Sequence, residues 1–271
     1  MDIDYNPFDD HLWATGGEDA HIKLWRVPDG GVKKGTKEAD IDLLGHSRRI
    51  NSINFHPTVS GLLVSTAADS TVKIWDIENQ KVAIDIVGGH NDAVLNITWD
   101  WKGSMLATAC KDTHLRVWDV RANKAVSDTI AHDGAKGFKA AWAGKHDMIC
   151  TCGFSKSSER QVGVWDVRNM AKPLRMMLLD QQSGLLTPMY DPDVDLLVLT
   201  GRGDGNVRFI EITQEEPYAH LLTEWMAHSQ FNDCDWMHKF VSLFLFLSSL
   251  PPPHANTFLT PLHQLTGRSV M

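Results

Sequence analysis

Residues 61–76 read GLLVSTAADSTVKIWD. An apolar run at residues 62–64 leads into small residues, then to Asp69, and then to alternating residues that end at Trp75 and Asp76. Short apolar or alternating runs separated by turn-forming residues are typical of β-hairpins. The stretch therefore predicts a strand, a tight turn and a second strand.

The same pattern recurs along the chain at a nearly constant interval. Copies occupy residues 12–26 (LWATGGEDAHIKLWR) and 105–119 (MLATACKDTHLRVWD), and looser copies run over 148–166 and 196–211. The aromatic residues that close the five copies lie 50, 43, 47 and 44 residues apart, and they are Trp25, Trp75, Trp118, Trp165 and Phe209. Repeats of roughly 40–45 residues are typical of WD40 β-propellers, whose blades each hold four short strands. We therefore predict an all-β, incomplete WD40 propeller with about five recognisable repeats.

Four residue types recur at fixed positions within the repeats. A His precedes the first strand, a Ser or Thr lies on the second strand, an Asp follows four residues later in the turn, and a Trp follows after six more. The sets are His46, Ser65, Asp69 and Trp75; His90, Thr108, Asp112 and Trp118; and, without a His, Thr15, Asp19 and Trp25. Buried polar groups persist only when they are partnered. We therefore predict a structural hydrogen-bond chain from Trp through the hydroxyl and His to Asp.

The first, fourth and fifth repeats depart from this pattern. Residues 1–27 are expected to supply only the last three strands of a blade, so that its opening strand is missing, and residues 32–44 a polar, Lys-rich connector. The turn before Trp165 is longer than the others, and no Asp stands six residues before that Trp. In the fifth repeat Phe209 replaces the Trp, so the hydrogen-bond chain is expected not to close there.

Composition excludes some classes of function. The chain has 26 Lys and Arg against 34 Asp and Glu, a net charge of −8, whereas nucleic-acid binders usually carry a basic excess. The four Cys form no Cys-x-x-Cys pair, which favours reduced thiols and a cytosolic protein. The N-terminus shows no basic segment followed by an apolar one, so no signal peptide is expected.

The repeats end near residue 225. We predict that residues 1–225 form the partial propeller and that residues 226–271 form a tail outside it, either disordered or foreign to the domain. Residues 240–250 (FVSLFLFLSSL) are apolar, but they are shorter than the ~20 residues that span a bilayer. A membrane anchor in the tail is the alternative.

Several longer phrases resemble those of coronins. They are residues 6–31 (NPFDDHLWATGGEDAHIKLWRVPDGG), 153–166 (GFSKSSERQVGVWD) and 178–212 (LLDQQSGLLTPMYDPDVDLLVLTGRGDGNVRFIEI). Residues 55–65 (FHPTVSGLLVS) and 107–112 (ATACKD) are most similar to the long coronins, which carry two propellers in tandem. The resemblance covers about residues 1–225.

The resemblance implies a seven-bladed propeller that binds actin filaments and adjusts their turnover, partly through branching and severing partners. It implies a non-catalytic, cofactor-free adaptor that is cytoplasmic and cytoskeleton-associated. The tandem type is also linked to Golgi traffic. The alternative is a WD40 scaffold in vesicle or Golgi traffic, or in another complex, that does not bind actin. Relative to the family the start of the propeller, its last blades and a coiled coil are missing, so a chain truncated at both ends is expected to form an open, self-associating arc.

Two groups of residues suggest chemistry, and each has a simpler interpretation. Ser65, His46 and Asp69 match the nucleophile, the base and the orienting carboxylate of a catalytic triad. Because the same residue types recur in the next blade, however, a structural scaffold is favoured. Cys150 and Cys152 share one face of a strand, where free Cys packs as a small apolar residue. No metal site is predicted, because the 13 His form no recognisable metal-binding motif.

The strongest candidates for partner binding are two adjacent arginines, Arg48 and Arg49, which follow His46 in the loop before a first strand. Arg can bind carboxylates through two parallel hydrogen bonds, which suits the acidic surface of actin. The alternative is a solvated loop with no partner. Lys33 and Lys34, in the connector, are weaker candidates.

Overall fold

A computed structural model describes residues 2–31 and 38–226 of the 271-residue chain. In these residues the fold consists of five four-stranded antiparallel sheets, called blades 1 to 5 in chain order. Lys33, Lys34 and, apart from Met226, the whole predicted tail lie outside the described residues. The boundary near residue 225 therefore stays a prediction.

Each blade is built from four strands that follow one another in the chain. Blade 1 contains β1 (Asp2–Asn6), β2 (Asp9–Gly16), β3 (Ile22–Arg26) and β4 (Ile41–Leu43). Blade 2 contains β5 (Ile50–Phe55), β6 (Leu62–Ala67), β7 (Val72–Asp76) and β8 (Lys81–Ile86). Blade 3 contains β9 (Val94–Trp99), β10 (Met105–Cys110), β11 (His114–Asp119) and β12 (Lys124–Ile130).

The remaining two blades repeat this order. Blade 4 contains β13 (Lys139–Trp142), β14 (Met148–Phe154), β15 (Arg160–Asp166) and β16 (Arg175–Leu178). Blade 5 contains β17 (Leu186–Asp191), β18 (Leu196–Gly201), β19 (Asn206–Ile212) and β20 (Ala219–Met226). The architecture is the predicted all-β propeller with five of its blades.

Blade 1 is complete, so the prediction that it lacks its opening strand is wrong. β1 pairs with β2, with Asp2 opposite Gly16, and the Phe8 amide donates to the Asn6 side chain (2.9 Å) in the turn between them. β4, which was expected to belong to the connector, pairs with β3 as the outer strand. An outer strand of three residues is too short to show a strand pattern in the sequence.

Each of the four pairs of successive blades shares one apolar core, in which the two sheets bury facing surfaces. The core between blades 1 and 2 contains Leu24 from the first and Leu63 and Trp75 from the second. The other three cores contain Val64 and Leu106 (blades 2 and 3), Ala107 and Ile149 (blades 3 and 4), and Cys150 and Leu197 (blades 4 and 5). Stability in such a stack comes from contacts between neighbouring repeats.

Polar side chains on the first strands of blades 1 and 3 join these blades to blades 2 and 4. They accept hydrogen bonds from backbone amides of the first strand of the following blade, which satisfies those amides at the junction. The bonds are Ile53 N to Asp2 Oδ2 (2.8 Å), Phe55 N to Asp4 Oδ2 (2.7 Å), Ala140 N to Asn96 Oδ1 (2.8 Å) and Trp142 N to Thr98 Oγ1 (3.2 Å).

In blade 5 the residue on the Trp face of the third strand is Ile210, so the assignment of Phe209 to that position is wrong. In blade 2, Trp75 pairs with Leu63 and both belong to the core shared with the preceding blade. The corresponding pair in blade 5 is Ile210 and Leu197, in the core shared with blade 4. The last residues paired before the turn are Thr66 and Val72 in blade 2 but Thr200 and Val207 in blade 5, so one more residue is enclosed in blade 5. A shift of one residue moves every side chain to the other face.

Candidate functional site

The hydrogen-bond chain of blade 2 is continuous from Trp75 to Asp69. Trp75 Nε1 donates to Ser65 Oγ (2.8 Å), and Ser65 Oγ lies 2.7 Å from His46 Nε2. His46 Nδ1 lies 3.0 Å from Asp69 Oδ2, which also accepts the Ser47 amide (2.9 Å). The chain ties the loop before β5 to the β6–β7 turn and to β7.

The protonation states in blade 2 fix the direction of each bond. Burial tends to raise the pKa of Asp69, but hydrogen bonds from Ser47 and Thr71 lower it to about 2, so the carboxylate can only accept. Burial lowers the pKa of His46, which keeps the ring neutral near pH 7 despite Asp69. His46 Nδ1 must then carry the proton, and the Ser65 hydroxyl donates to Nε2.

This arrangement of Ser, His and Asp matches that of a hydrolase triad in its bonds, but not in its access. Ser65 has no exposed surface, and its oxygen already accepts the indole N–H of Trp75. A nucleophile needs room for a reacting carbonyl beside the oxygen. The geometry favours a scaffold.

Blade 3 differs from blade 2 at its Asp. His90 Nε2 lies 3.0 Å from Thr108 Oγ1, and Trp118 Nε1 donates to the same oxygen (3.1 Å). Asp112, however, accepts both Nη atoms of Arg116 (3.2 and 2.9 Å), and His90 Nδ1 has no partner among the described residues. The predicted bond between His90 and Asp112 is absent, and the guanidinium group of Arg116 pairs with both carboxylate oxygens instead.

The pKa values in blade 3 reflect the pairing of Asp112 with Arg116 instead of His90. Burial, together with the charge of Arg116, lowers the pKa of His90 to about 4. Burial opposes ionisation of Asp112, but hydrogen bonds from Arg116 lower the pKa of that carboxyl to about 2. The blade therefore holds a neutral His beside an Arg–Asp ion pair.

Blade 4 keeps the Trp, hydroxyl and His part of the chain, although no Asp stands six residues before Trp165. His132 Nε2 lies 2.9 Å from Thr151 Oγ1, and Trp165 Nε1 donates to the same oxygen (2.9 Å). Gln161 Oε1, 3.4 Å from His132 Nδ1, takes the place of the Asp. Thr151 precedes Trp165 by 14 residues instead of 10, so the spacing of the other repeats does not identify it. Burial lowers the pKa of His132 to about 4.

Blade 1 keeps only part of the set. Trp25 Nε1 donates to Thr15 Oγ1 (2.9 Å), and both residues are half-buried. Asp19 accepts Lys23 Nζ (2.6 Å) and the amide of His21 (3.2 Å). The Asp therefore organises its own turn.

Blades 4 and 5 are joined by a group of charged residues, which we call the interblade ion cluster: Arg160, Asp180, Asp204, Arg208 and Glu224. Arg160 has no exposed surface and binds both oxygens of Asp180 (2.6 Å each) and one oxygen of Asp204. Arg208 Nη2 reaches Asp180 (2.6 Å) and Glu224 (2.8 Å). Burial opposes ionisation of Asp180, yet the bonds from Arg160 hold its pKa below the ordinary value.

The sequence contained one signal for this cluster. A basic residue follows the turn Asp by four residues in four of the repeats, as Lys23, Lys73, Arg116 and Arg208. Arg160 has no such signal, since it begins β15 directly after the longer turn of blade 4. In the structure Arg160 reaches Asp204 of the next blade.

The loop that carries Arg48 and Arg49 is tied to the scaffold while both side chains are exposed. The Ser47 amide donates to Asp69, and the carbonyl oxygen of Arg49 accepts the Ala68 amide (3.0 Å). Two cations are therefore held on a well-anchored loop.

The other candidates for chemistry are placed in the core. Cys150 and Cys152 are fully buried between blades 4 and 5, and burial raises the pKa of the Cys150 thiol to about 12. Within residues 2–31 and 38–226, no group of three or more His, Cys, Asp or Glu residues could hold a metal ion. No helix in this part of the chain is long and apolar enough to cross a membrane.

Comparison with known proteins identifies two of the repeats and finds similarity to coronins. The family model "WD domain, G-beta repeat" matches residues 39–76 and 82–119. The chain is 34% identical to human Coronin-2A over 233 residues, which is 84% of this chain and 44% of that protein. It is 38% identical to a Saccharomyces cerevisiae coronin-like protein over 227 residues, which is 80% of this chain and 35% of that protein. The chain thus spans less than half the length of these relatives.

Two further comparisons cover more of the chain. Human Coronin-7 is 36% identical over 273 residues, which is 99% of this chain and 27% of that protein. The crystal structure of the WD40 domain of Toxoplasma gondii coronin superposes with a TM-score of 0.79 at 29% identity, covering 86% of this chain and 60% of that one.

Proposed function

We propose that this chain, which belongs to the coronin family of WD40-repeat proteins, is a non-catalytic adaptor that binds actin filaments. The observation that carries the proposal is the similarity to coronins of both sequence and fold across the described blades. The adaptor would organise the actin cytoskeleton together with other cytoskeletal or trafficking proteins. It would be cytoplasmic and associated with the cytoskeleton, and it would also act in actin-linked Golgi traffic.

Arg48 and Arg49 support this function as candidate contacts. Both are exposed on an anchored loop, so binding should cost little conformational entropy of the loop. Two adjacent guanidinium groups can form bidentate bonds with carboxylates of an acidic filament surface. Attraction between exposed charges is screened by salt. Binding should therefore weaken steeply as ionic strength rises.

Co-sedimentation of the full chain with actin filaments across a salt titration tests the proposal. The Arg48→Glu/Arg49→Glu variant should bind at least about tenfold more weakly at low salt, with a flatter salt dependence. The matched control is Arg121→Glu/Lys124→Glu, which changes the charge by the same amount in the β11–β12 turn and at the first residue of β12. These residues lie at the opposite end of the strands from Arg48 and Arg49. That control should change binding less than about twofold.

The alternative is a WD40 scaffold in vesicle or Golgi traffic, or in another complex, that does not bind actin. If the folded chain stays in the supernatant at low salt, the result would support the alternative and contradict actin binding. If the chain sediments and both double variants lose binding equally, actin binding stands and the assignment to Arg48 and Arg49 fails.

A further inference from the structure

One histidine connects the β5–β6 turn to the β9–β10 turn, and both turns lie at the opposite end of the strands from Arg48 and Arg49. His56 follows β5, and its Nδ1 accepts the amides of Thr58 (3.2 Å) and Val59 (3.0 Å). Since Nδ1 accepts, Nε2 carries the proton and donates to the carbonyl oxygen of Gly103 (2.9 Å), in the β9–β10 turn. Burial lowers the pKa of His56, which favours this neutral form.

Two more features restrict the junction between the β5–β6 and β9–β10 turns. Thr58 Oγ1 donates to the carbonyl oxygen of Lys102 (2.9 Å). A Cβ on Gly103 would lie 2.0 Å from His56 Cε1, and Gly103 has a φ of +71°. The turn of blade 3 therefore needs glycine both for its backbone conformation and for the close approach of the ring.

Large apolar side chains are exposed on this rigid junction. Val59 is 45% exposed and Trp101 is 43% exposed. Lys145 of the β13–β14 turn places Nζ 5.2 Å from the centroid of the Trp101 ring. With Lys102 these residues form the inner-turn patch, defined as Val59, Trp101, Lys102 and Lys145. Trp on a preorganised surface is a frequent hot spot of protein binding.

The charge of the inner-turn patch selects the partner. Lys102 and Lys145 are both exposed, and the turn of blade 2 after His56 adds no charged side chain. Asp100 is buried and binds the Ser104 hydroxyl and the Met105 amide, which leaves exposed Asp147 as the one carboxylate in these three turns that is open to solvent. The patch therefore presents two cations beside an apolar centre.

We propose that the inner-turn patch is a docking site for an acidic segment of a partner protein that inserts a large apolar side chain beside Trp101. Carboxylates of the segment would pair with Lys102 and Lys145, and their attraction would set the orientation and speed of binding. The patch lies at the opposite end of the strands from Arg48 and Arg49. Docking there is independent of the proposed actin contact.

Fluorescence anisotropy with the full chain tests this site. The probe is a labelled dodecapeptide that alternates Glu with Leu or Phe. One control peptide has Lys in place of every Glu, and a second has Ser in place of every Leu and Phe. Only the acidic, apolar peptide should bind, and its affinity should fall as salt is raised.

Variants then locate the contact. Trp101→Ala and Lys102→Glu/Lys145→Glu should each weaken peptide binding at least about tenfold. Val126→Ala and Lys124→Glu, at exposed positions of β12, should change it less than about twofold. The melting temperature of each variant shows whether the fold is intact, and if Trp101→Ala lowers it, the double Lys variant decides the result.

Three results would overturn the proposal. The first is equal binding of the Lys-containing peptide, which would remove charge selection. The second is unchanged affinity of the folded double Lys variant. The third is failure of the acidic peptide to bind while phosphatidylserine vesicles do so in a Trp101-dependent manner, because the patch would then recognise a lipid surface.

Discussion

The hydrogen-bond chain of blade 2 and the interblade ion cluster both bury polar groups, but they connect very different distances along the sequence. In blade 2, Trp75 reaches Ser65 across 10 residues, within one hairpin. In the ion cluster, Arg160 reaches Asp204 across 44 residues, between two blades. The first kind of contact shapes a blade, whereas the second determines how two blades meet.

The two regions also differ in charge. The chain of blade 2 joins an indole, a hydroxyl group and a neutral imidazole, with the carboxylate of Asp69 at its end. The ion cluster holds two guanidinium groups and three carboxylates, and both arginines are almost fully buried. Removing one partner of a buried ion pair leaves a charge without compensation, which costs more than the loss of a neutral hydrogen bond. The comparison therefore predicts a graded series of effects.

The largest effect is expected for Arg160→Met, because it leaves Asp204 buried and unpaired. The free energy of unfolding should fall by about 3–5 kcal/mol in urea titrations. Arg168→Met is the matched control in the same blade, since Arg168 forms an exposed pair with Asp166. The control should cost less than about 0.5 kcal/mol. Similar losses for both arginines would contradict the role of the cluster.

Acid should weaken the blade chains through their buried histidines. His90 and His132 have folded-state pKa values of about 4, below the ordinary 6.5. The unfolded chain takes up protons near pH 6.5 and the folded chain only near pH 4, so their stabilisation is present above pH 6.5 and is lost as the pH falls towards 4. At about 1.4 kcal/mol per unit, the two together should cost roughly 4 kcal/mol between pH 7 and pH 5.

Urea midpoints measured at pH 7, 6 and 5 check this dependence. The His90→Gln/His132→Gln variant should have a flatter pH profile than the parent. His220→Gln, at an exposed position, should keep the parent profile. An unchanged slope in the double variant would show that other groups cause the acid sensitivity.

Loss of the blade 2 carboxylate should have a smaller effect. Asp69→Ala removes the acceptor of the Ser47 amide and of His46, with an expected cost of about 1–3 kcal/mol. Asp29→Ala, at a side chain that is 99% exposed, should cost less than about 0.5 kcal/mol. Equal losses in denaturant melts would contradict the structural role of Asp69.

The smallest effect is expected where Gln161 replaces the Asp. Its contact with His132 is long, at 3.4 Å, and joins neutral groups. Gln161→Leu should therefore change the free energy of unfolding by about 0.5 kcal/mol, less than Asp69→Ala. A loss as large as that of Asp69→Ala would show that blade 4 depends on this position as blade 2 does.

Several features of the molecule could be read from the sequence because they are local and repeated. The hairpin from residue 62 to residue 76 and its copies predicted the propeller, and Ser65 and Trp75 were identified from spacing alone. This spacing is informative because the residues face each other across one antiparallel hairpin, where turn length determines the register. The same rule fails where the turn length changes, as at Thr151 and Phe209.

Other features were decided only by tertiary structure. The sequence could not show that Asp112 would bind Arg116 instead of His90, because both partners lie within reach of the same carboxylate. It could not place Arg160 beside Asp204, or Val59 and Trp101 on one rigid surface, because these residues belong to different blades. The sequence alone therefore determined the blade and its repeated chain, whereas stacking decided which charged and apolar side chains meet between blades, since that depends on how neighbouring sheets pack.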